Sequence, residues 1–84
     1  MDREATTLKL KTIIRPYVKD QQAYENLTES TDFINDLKIN SANLVDIILD
    51  VEENFDIVID NESMEKMLDI KSALAIIETK VAER

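Results

Sequence analysis

The side chains in this sequence that could take part in chemistry are mainly carboxylates, because the chain contains no cysteine and no histidine. It therefore lacks a protein thiolate, a disulfide and the most common general base and transition-metal ligand. Residues 43–65 contain eight acids and no base. These acids lie along predicted helix rather than converging across a cleft, and they lack the alternating spacing and turn glycine of an EF-hand loop. The pattern predicts neither an enzyme active site nor a metal site.

The charge of the chain excludes several kinds of partner. The 84 residues include 10 Lys and Arg against 18 Asp and Glu, a net charge of −8. This charge disfavours binding to nucleic acid and to anionic membranes. No apolar stretch approaches about 20 residues and no signal peptide is evident, so we expect a soluble, cytoplasmic monomer.

The hydrophobic pattern predicts helices that position these acids. The 44% of hydrophobic residues predict one folded domain, residues 1–84. An amphipathic helix is expected over residues 2–18, kinked or ended near Pro16, followed by a long polar connection over residues 19–40. Asn40 and Ser41 are expected to act as N-caps of the next helix.

The second half of the chain predicts three further helices. Residues 44–55 carry a strong apolar stripe and are expected to form the first of these helices. Asp60 and Asn61 are expected to cap a short acidic helix, and Asp69 is expected to cap a last long helix. The fold class is therefore all-α, a small four-helix bundle with three longer helices, one short helix and a long first loop.

The 44–55 helix carries more negative charge than its own stability favours. Asp46 and Asp50 are like charges at i, i+4, which destabilise a helix. A smaller apolar strip of Ala42, Val45 and Leu49 lies off the core face. One interpretation is a docking surface for basic partners; the other is a plain solvated acidic face with Val45 and Leu49 partly buried.

The stretch over residues 36–46, DLKINSANLVD, resembles the acyl carrier protein signature, commonly written D/E-L-G-x-D-S-L-x-x-V-E. The resemblance continues through residues 52–59, EENFDIVI, and covers about residues 30–80. Lys38, Asn40, Ala42 and Asp60 stand where the family commonly has Gly, Asp, Leu and Pro.

The resemblance implies a carrier that is not an enzyme. Ser41 would bear a 4′-phosphopantetheine arm, added by a phosphopantetheinyl transferase, and the arm would hold acyl groups as thioesters. The dipole and free N–H groups of a helix N-terminus would favour the phosphodiester. Fatty acyl, polyketide, nonribosomal peptide and D-alanyl cargo all fit the pattern.

The resemblance also implies two sets of supporting residues. Basic patches of partner enzymes would dock on Ala42, Val45, Asp46, Leu49, Glu52, Glu53, Asp56 and Glu65. The bundle interior, which in many carriers opens for an acyl chain, would be lined by Phe33, Leu37, Ile47, Ile48, Val51, Ile59, Met67, Leu68, Ile70 and Leu74. The alternative is an unmodified acidic helical adaptor that keeps the fold without the arm. For Ser41 itself, the other interpretation is simple helix capping, shared with Asn40.

Overall fold

The computed structural model describes residues 3–83, which form five helices and, within that range, no strand longer than an isolated bridge. The helices are α1 (Arg3–Ile14), α2 (Gln21–Glu25), α3 (Asn43–Phe55), α4 (Asn61–Lys66) and α5 (Ile70–Glu83). The predicted all-α fold with three longer helices, α1, α3 and α5, is confirmed. The short α4 was expected, whereas α2 lies in the connection that the sequence pattern left irregular.

Helix α1 ends where the sequence places its proline. The α-helix stops at Ile14, and a 3-10 helix, Arg15–Tyr17, follows with Pro16 inside it. Proline cannot donate a backbone hydrogen bond and its ring clashes with the preceding turn, so the regular helix cannot continue. The expected first residue of this helix, residue 2, lies outside the described residues.

The core forms where α1 packs against α3 and α5. Helix α3 and helix α5 each bury one face, since apolar residues at helical spacing lie on one side. The buried residues of these two helices are Ile47, Ile48, Val51, Phe55, Ile70, Ala73, Leu74 and Ile77. They join the buried residues of α1 in one apolar cluster.

The long first connection is ordered because it crosses the domain. The Leu37 carbonyl accepts hydrogen bonds from the N–H groups of Lys19 at 3.1 Å and Asp20 at 3.2 Å. Farther along, Phe33 N–H donates to the Leu68 carbonyl at 3.1 Å, which ties the connection to the segment before α5. Phe33 and Leu37 are buried. The connection is therefore long because it spans the bundle.

The sequence pattern missed α2 because the helix has only five residues and buries none of them fully. Its signal was the cap: the Asp20 carboxylate accepts from the Ala23 N–H at 3.1 Å. Asp69 plays the same part for α5, as expected, and accepts from the Ser72 N–H at 2.8 Å.

Leu68 is the predicted interior residue that the structure contradicts. Its side chain is 55% exposed, whereas Met67 beside it is buried. Helix α4 ends at Lys66, so both residues lie in a short non-helical segment. Because helical spacing does not apply there, Met67 and Leu68 face different sides.

Candidate functional site

The turn before α3 is built by Asn40. Its side-chain Oδ1 accepts from the Ala42 N–H at 2.9 Å, and its backbone carbonyl accepts from the Asn43 N–H at 2.8 Å. This is an Asx-turn, in which the side chain of an asparagine accepts a hydrogen bond from the backbone N–H of the residue two positions later. The N-cap of α3 is Ala42, so the expectation that Asn40 and Ser41 cap the helix is wrong.

Ser41 occupies the apex of this turn, and the fold does not use its hydroxyl. The residue is exposed, and Ser41 Oγ makes no hydrogen bond within residues 3–83. Only its backbone carbonyl is engaged, by the Leu44 N–H at 3.2 Å. The interpretation in which Ser41 simply caps the helix is therefore wrong, whereas the unmodified adaptor does not depend on that cap.

A phosphodiester on Ser41 would fit this site. The hydroxyl points to no acceptor and the residue is open to solvent, so the fold needs no rearrangement to receive it. The N–H groups of Ala42, Asn43 and Leu44 already donate within the turn. The positive end of the α3 dipole therefore remains to favour the anion, rather than the free N–H groups expected from the sequence.

An apolar strip rimmed by acids runs along α3 from this turn, and we call it the α3 strip: Ala42, Val45, Asp46, Leu49 and Glu53. Val45 is 52% and Leu49 56% exposed, and the other three are exposed as well. Asp46 and Glu53 form no salt bridge with a residue in 3–83. About half of the surface of Val45 and of Leu49 is covered, an arrangement that both the docking and the solvated-face interpretation allow.

Two acids grouped with the docking residues by sequence hold the end of α3. Glu52 is half-buried, and its Oε2 accepts from the Ile59 N–H at 2.7 Å. Asp56 ends the helix in the left-handed conformation, with φ 55°. No local pattern links Glu52 to the backbone of Ile59, so sequence reasoning could not separate these acids from Asp46 and Glu53. Glu65, on α4, is exposed.

The interior is closed in this structure. Leu37 and Val51 have no exposed surface, and Phe33 and Leu74 each expose 1%. The remaining predicted interior residues other than Leu68 are also buried, namely Ile47, Ile48, Ile59, Met67 and Ile70. An acyl chain could enter only if these side chains moved apart, since a packed interior has little free volume.

Asp60 makes contacts that sequence reasoning did not find. It occupies the N-cap position of α4, but its side chain makes no capping hydrogen bond to that helix. Instead, hydrogen bonds from Ser63 and from Lys80, whose Nζ lies 3.2 Å from Asp60 Oδ1, lower the carboxyl pKa to about 2. The contact joins the start of α4 to α5.

Known proteins identify the family of the chain. It is 33% identical over 79 residues to an acyl carrier protein of Coprothermobacter proteolyticus, covering 94% of each chain. It is 30% identical over 79 residues to that of Thermotoga maritima, covering 94% of this chain and 95% of the relative. It is 34% identical over 67 residues to that of Akkermansia muciniphila, covering 77% and 84%. No protein-family model matches the chain.

The chain belongs to the acyl carrier protein family. It is therefore a carrier protein and not an enzyme. Family membership implies a phosphopantetheine prosthetic group in general and interaction with acyl-handling enzymes. None of the helices within residues 3–83 has the length and apolarity needed to span a bilayer.

Proposed function

We propose that this carrier holds acyl groups as thioesters on a 4′-phosphopantetheine arm attached to Ser41. The observation that supports the proposal is the Ser41 hydroxyl, which is exposed at the turn before α3 and unused by the fold of residues 3–83. The arm supplies a terminal thiol, a group that this cysteine-free chain does not have.

Ser41 and its neighbour Asn40 have different roles in attachment of the arm. Ser41 Oγ is the attachment atom, and Asn40 holds the turn that presents it. No described side chain is hydrogen-bonded to Ser41 Oγ, so activation of the hydroxyl falls to the transferase and its Mg²⁺. The chain contributes geometry and a docking surface rather than catalysis.

The attachment site can be tested by intact mass. Apo protein incubated with coenzyme A, Mg²⁺ and a broad-specificity phosphopantetheinyl transferase should gain one phosphopantetheine. Ser41→Ala should gain none, while Ser30→Ala, which changes an exposed serine of the first connection, should gain one as wild type does. No addition to wild type, or equal addition to Ser41→Ala, would contradict the attachment and favour an unmodified adaptor.

We further propose that basic patches of partner enzymes dock on the α3 strip. Exposed apolar groups bordered by one sign of charge suit such a contact, with steering that salt weakens. The transferase is the first partner to test. The double variant Asp46→Asn, Glu53→Gln should raise its KM for the carrier about tenfold with little change in kcat, since rim charges act mainly on encounter.

The matched control for docking removes two acids elsewhere. The double variant Glu25→Gln, Glu62→Gln changes the net charge equally at exposed positions outside the α3 strip. It should leave KM near the wild-type value. An equal rise in both double variants would show that only total charge matters and would contradict docking on the strip.

A further inference from the structure

Three exposed bases lie on two segments that backbone hydrogen bonds join, residues 15–19 and the stretch before Ser41, and we call them the basic surface: Arg15, Lys19 and Lys38. None of the three forms a salt bridge or a ring contact within residues 3–83. Most other described bases are engaged: salt bridges hold Arg3, Lys66 and Lys80, and Lys9 and Lys11 lie over the rings of Phe55 and Tyr24. Apart from Lys71 on α5, the described bases without a salt bridge or ring contact are therefore these three.

Backbone hydrogen bonds bring these bases together. The Lys19 N–H donates to the Leu37 carbonyl at 3.1 Å, which sets Lys19 beside Lys38. The Val18 N–H donates to the Arg15 carbonyl at 3.3 Å, so Arg15 lies one tight turn away. Lys38 is three residues before Ser41, a separation of at most about 11 Å between Cα atoms.

Lys38 occupies a backbone conformation that disfavours lysine. Its φ is 60°, in the left-handed region where a side chain clashes with the backbone and glycine is unstrained. The side chain is exposed and brings no ion pair within residues 3–83 to offset that cost. A strained residue without a structural role, close to an attachment site, suggests a functional role for its charge.

Three carboxylates border the basic surface, and each already accepts a hydrogen bond. Asp20 Oδ1 accepts from the Ala23 N–H at 3.1 Å, and Asp36 Oδ2 accepts from the Asp32 N–H at 2.7 Å. Asp50 Oδ2 of α3 accepts from the Tyr17 hydroxyl at 3.3 Å. None of these acids forms a salt bridge with the three bases. Helix α3, on the other side of Ser41 in the chain, carries four acids and no base, and its C-cap, Asp56, is a fifth acid.

We propose that the basic surface receives a carboxylate patch of the enzyme that docks on the α3 strip. The proposal rests on the proposed function, and it adds a positively charged contact to the negatively charged contact that the α3 strip makes with the partner. Lys38 and the first acid of α3 both lie near Ser41, on a scale comparable with the Debye length of about 8–10 Å. A partner with basic and acidic patches would therefore be aligned about Ser41, and a partner with a basic patch alone would not.

The test uses a hexaglutamate peptide as a probe of carboxylate binding to apo protein, followed by backbone amide NMR shifts. Shifts are expected at residues 15–19 and 37–41, and they should vanish at high salt. The double variant Lys19→Glu, Lys38→Glu should raise the apparent Kd about tenfold. The control Lys66→Glu, Lys71→Glu makes the same change in net charge at exposed positions and should retain the shifts.

Two further variants separate the possible outcomes. Lys38→Gly relieves the backbone strain, so weaker peptide binding by this variant cannot come from unfolding. Ser41→Ala should bind the peptide as wild type does, which makes this result independent of whether Ser41 is modified. The proposal is overturned if the peptide shifts no residue of the basic surface, or if the control pair weakens binding as much as the Lys19, Lys38 pair.

Discussion

Asn40 determines the geometry of the Ser41 turn with one side-chain oxygen. Its Oδ1 accepts from the Ala42 N–H at 2.9 Å, which an aspartate could also do and an alanine could not. We expect Asn40→Ala to lower the free energy of unfolding by about 0.5–1 kcal/mol, as for loss of one hydrogen bond, and to slow phosphopantetheine transfer several-fold.

Asn40→Asp is the matched control for the turn. It keeps the acceptor and should retain most of the stability and the transfer rate. Chemical denaturation and the initial rate of mass addition measure the two effects. An Asn40→Ala variant equal to wild type in both would show that the side-chain bond does not organise the turn.

Lys38 tests the cost of a left-handed backbone at a residue with a side chain. We expect Lys38→Gly to raise the free energy of unfolding by about 1 kcal/mol, because glycine adopts φ 60° without strain. In a chain of this size that corresponds to about 4–8 °C in Tm.

A glycine in a helix provides the comparison for Lys38. Ala75→Gly, at an exposed position in the interior of α5, should lower stability by about 1 kcal/mol, because glycine is disfavoured in helix interiors. Thermal unfolding of both variants measures the contrast. A loss of stability in Lys38→Gly would mean that the lysine side chain stabilises the fold and would remove the reason to assign its charge a function.

Helix α3 contains two adjacent glutamates with different roles. Glu52 Oε2 accepts from the Ile59 N–H at 2.7 Å, while Glu53 is exposed on the α3 strip. We expect Glu52→Ala to lower the free energy of unfolding by about 1.5–3 kcal/mol, since hydrogen bonds to charged groups contribute that much. Glu53→Ala should leave stability unchanged or slightly raised, because it removes repulsion between acids.

Urea unfolding and transferase kinetics distinguish the two glutamates. Glu53→Ala should raise the transferase KM, and Glu52→Ala should act mainly on stability. Equal effects of the two variants on both measurements would show that the Glu52 bond to Ile59 does not hold the turn after α3.

The contact between α4 and α5 should respond to acid. Hydrogen bonds from Ser63 and Lys80 lower the pKa of Asp60 to about 2 in the folded protein. Because the folded value lies below the unfolded one, ionised Asp60 stabilises the fold above about pH 4, and that contribution is lost as the pH falls towards about 2.

Asp60→Asn isolates this contribution. Its unfolding midpoint should lie below that of wild type at neutral pH, and the difference should shrink as the pH falls from about 4 to about 2. Glu65→Gln, at an exposed acid of the same helix, should differ little from wild type throughout. A difference for Asp60→Asn that stays constant across this range would contradict the coupling to Ser63 and Lys80.

The net charge of −8 acts on the whole molecule. Acids repel one another within α3 and across the turn to α4, and salt screens charges at the surface. We expect Tm to rise by a few degrees, about 3 °C, between low and physiological salt. The double variant Asp46→Asn, Glu53→Gln should show a smaller rise, and a flat or falling Tm for wild type would contradict this account.

The parts of the fold that sequence predicted are those encoded by neighbouring residues. Apolar spacing in α3 and α5 identified their buried faces, and Pro16 identified the end of α1. Helix α2 has no such spacing, and Leu68 lies just beyond a helix whose end the spacing did not reveal. Ser41 was identified through its surrounding motif rather than by any property of the serine alone.

The sequence by itself determined the helical class, the apolar faces and the concentration of acids after Ser41, because helical periodicity and charge are local properties. Only the tertiary structure decided that the Ser41 hydroxyl is unused and that Lys19 lies beside Lys38. It also assigned Glu52 to the backbone of Ile59 and turned Leu68 to solvent. Each of these depends on how separate segments meet, which no local pattern specifies.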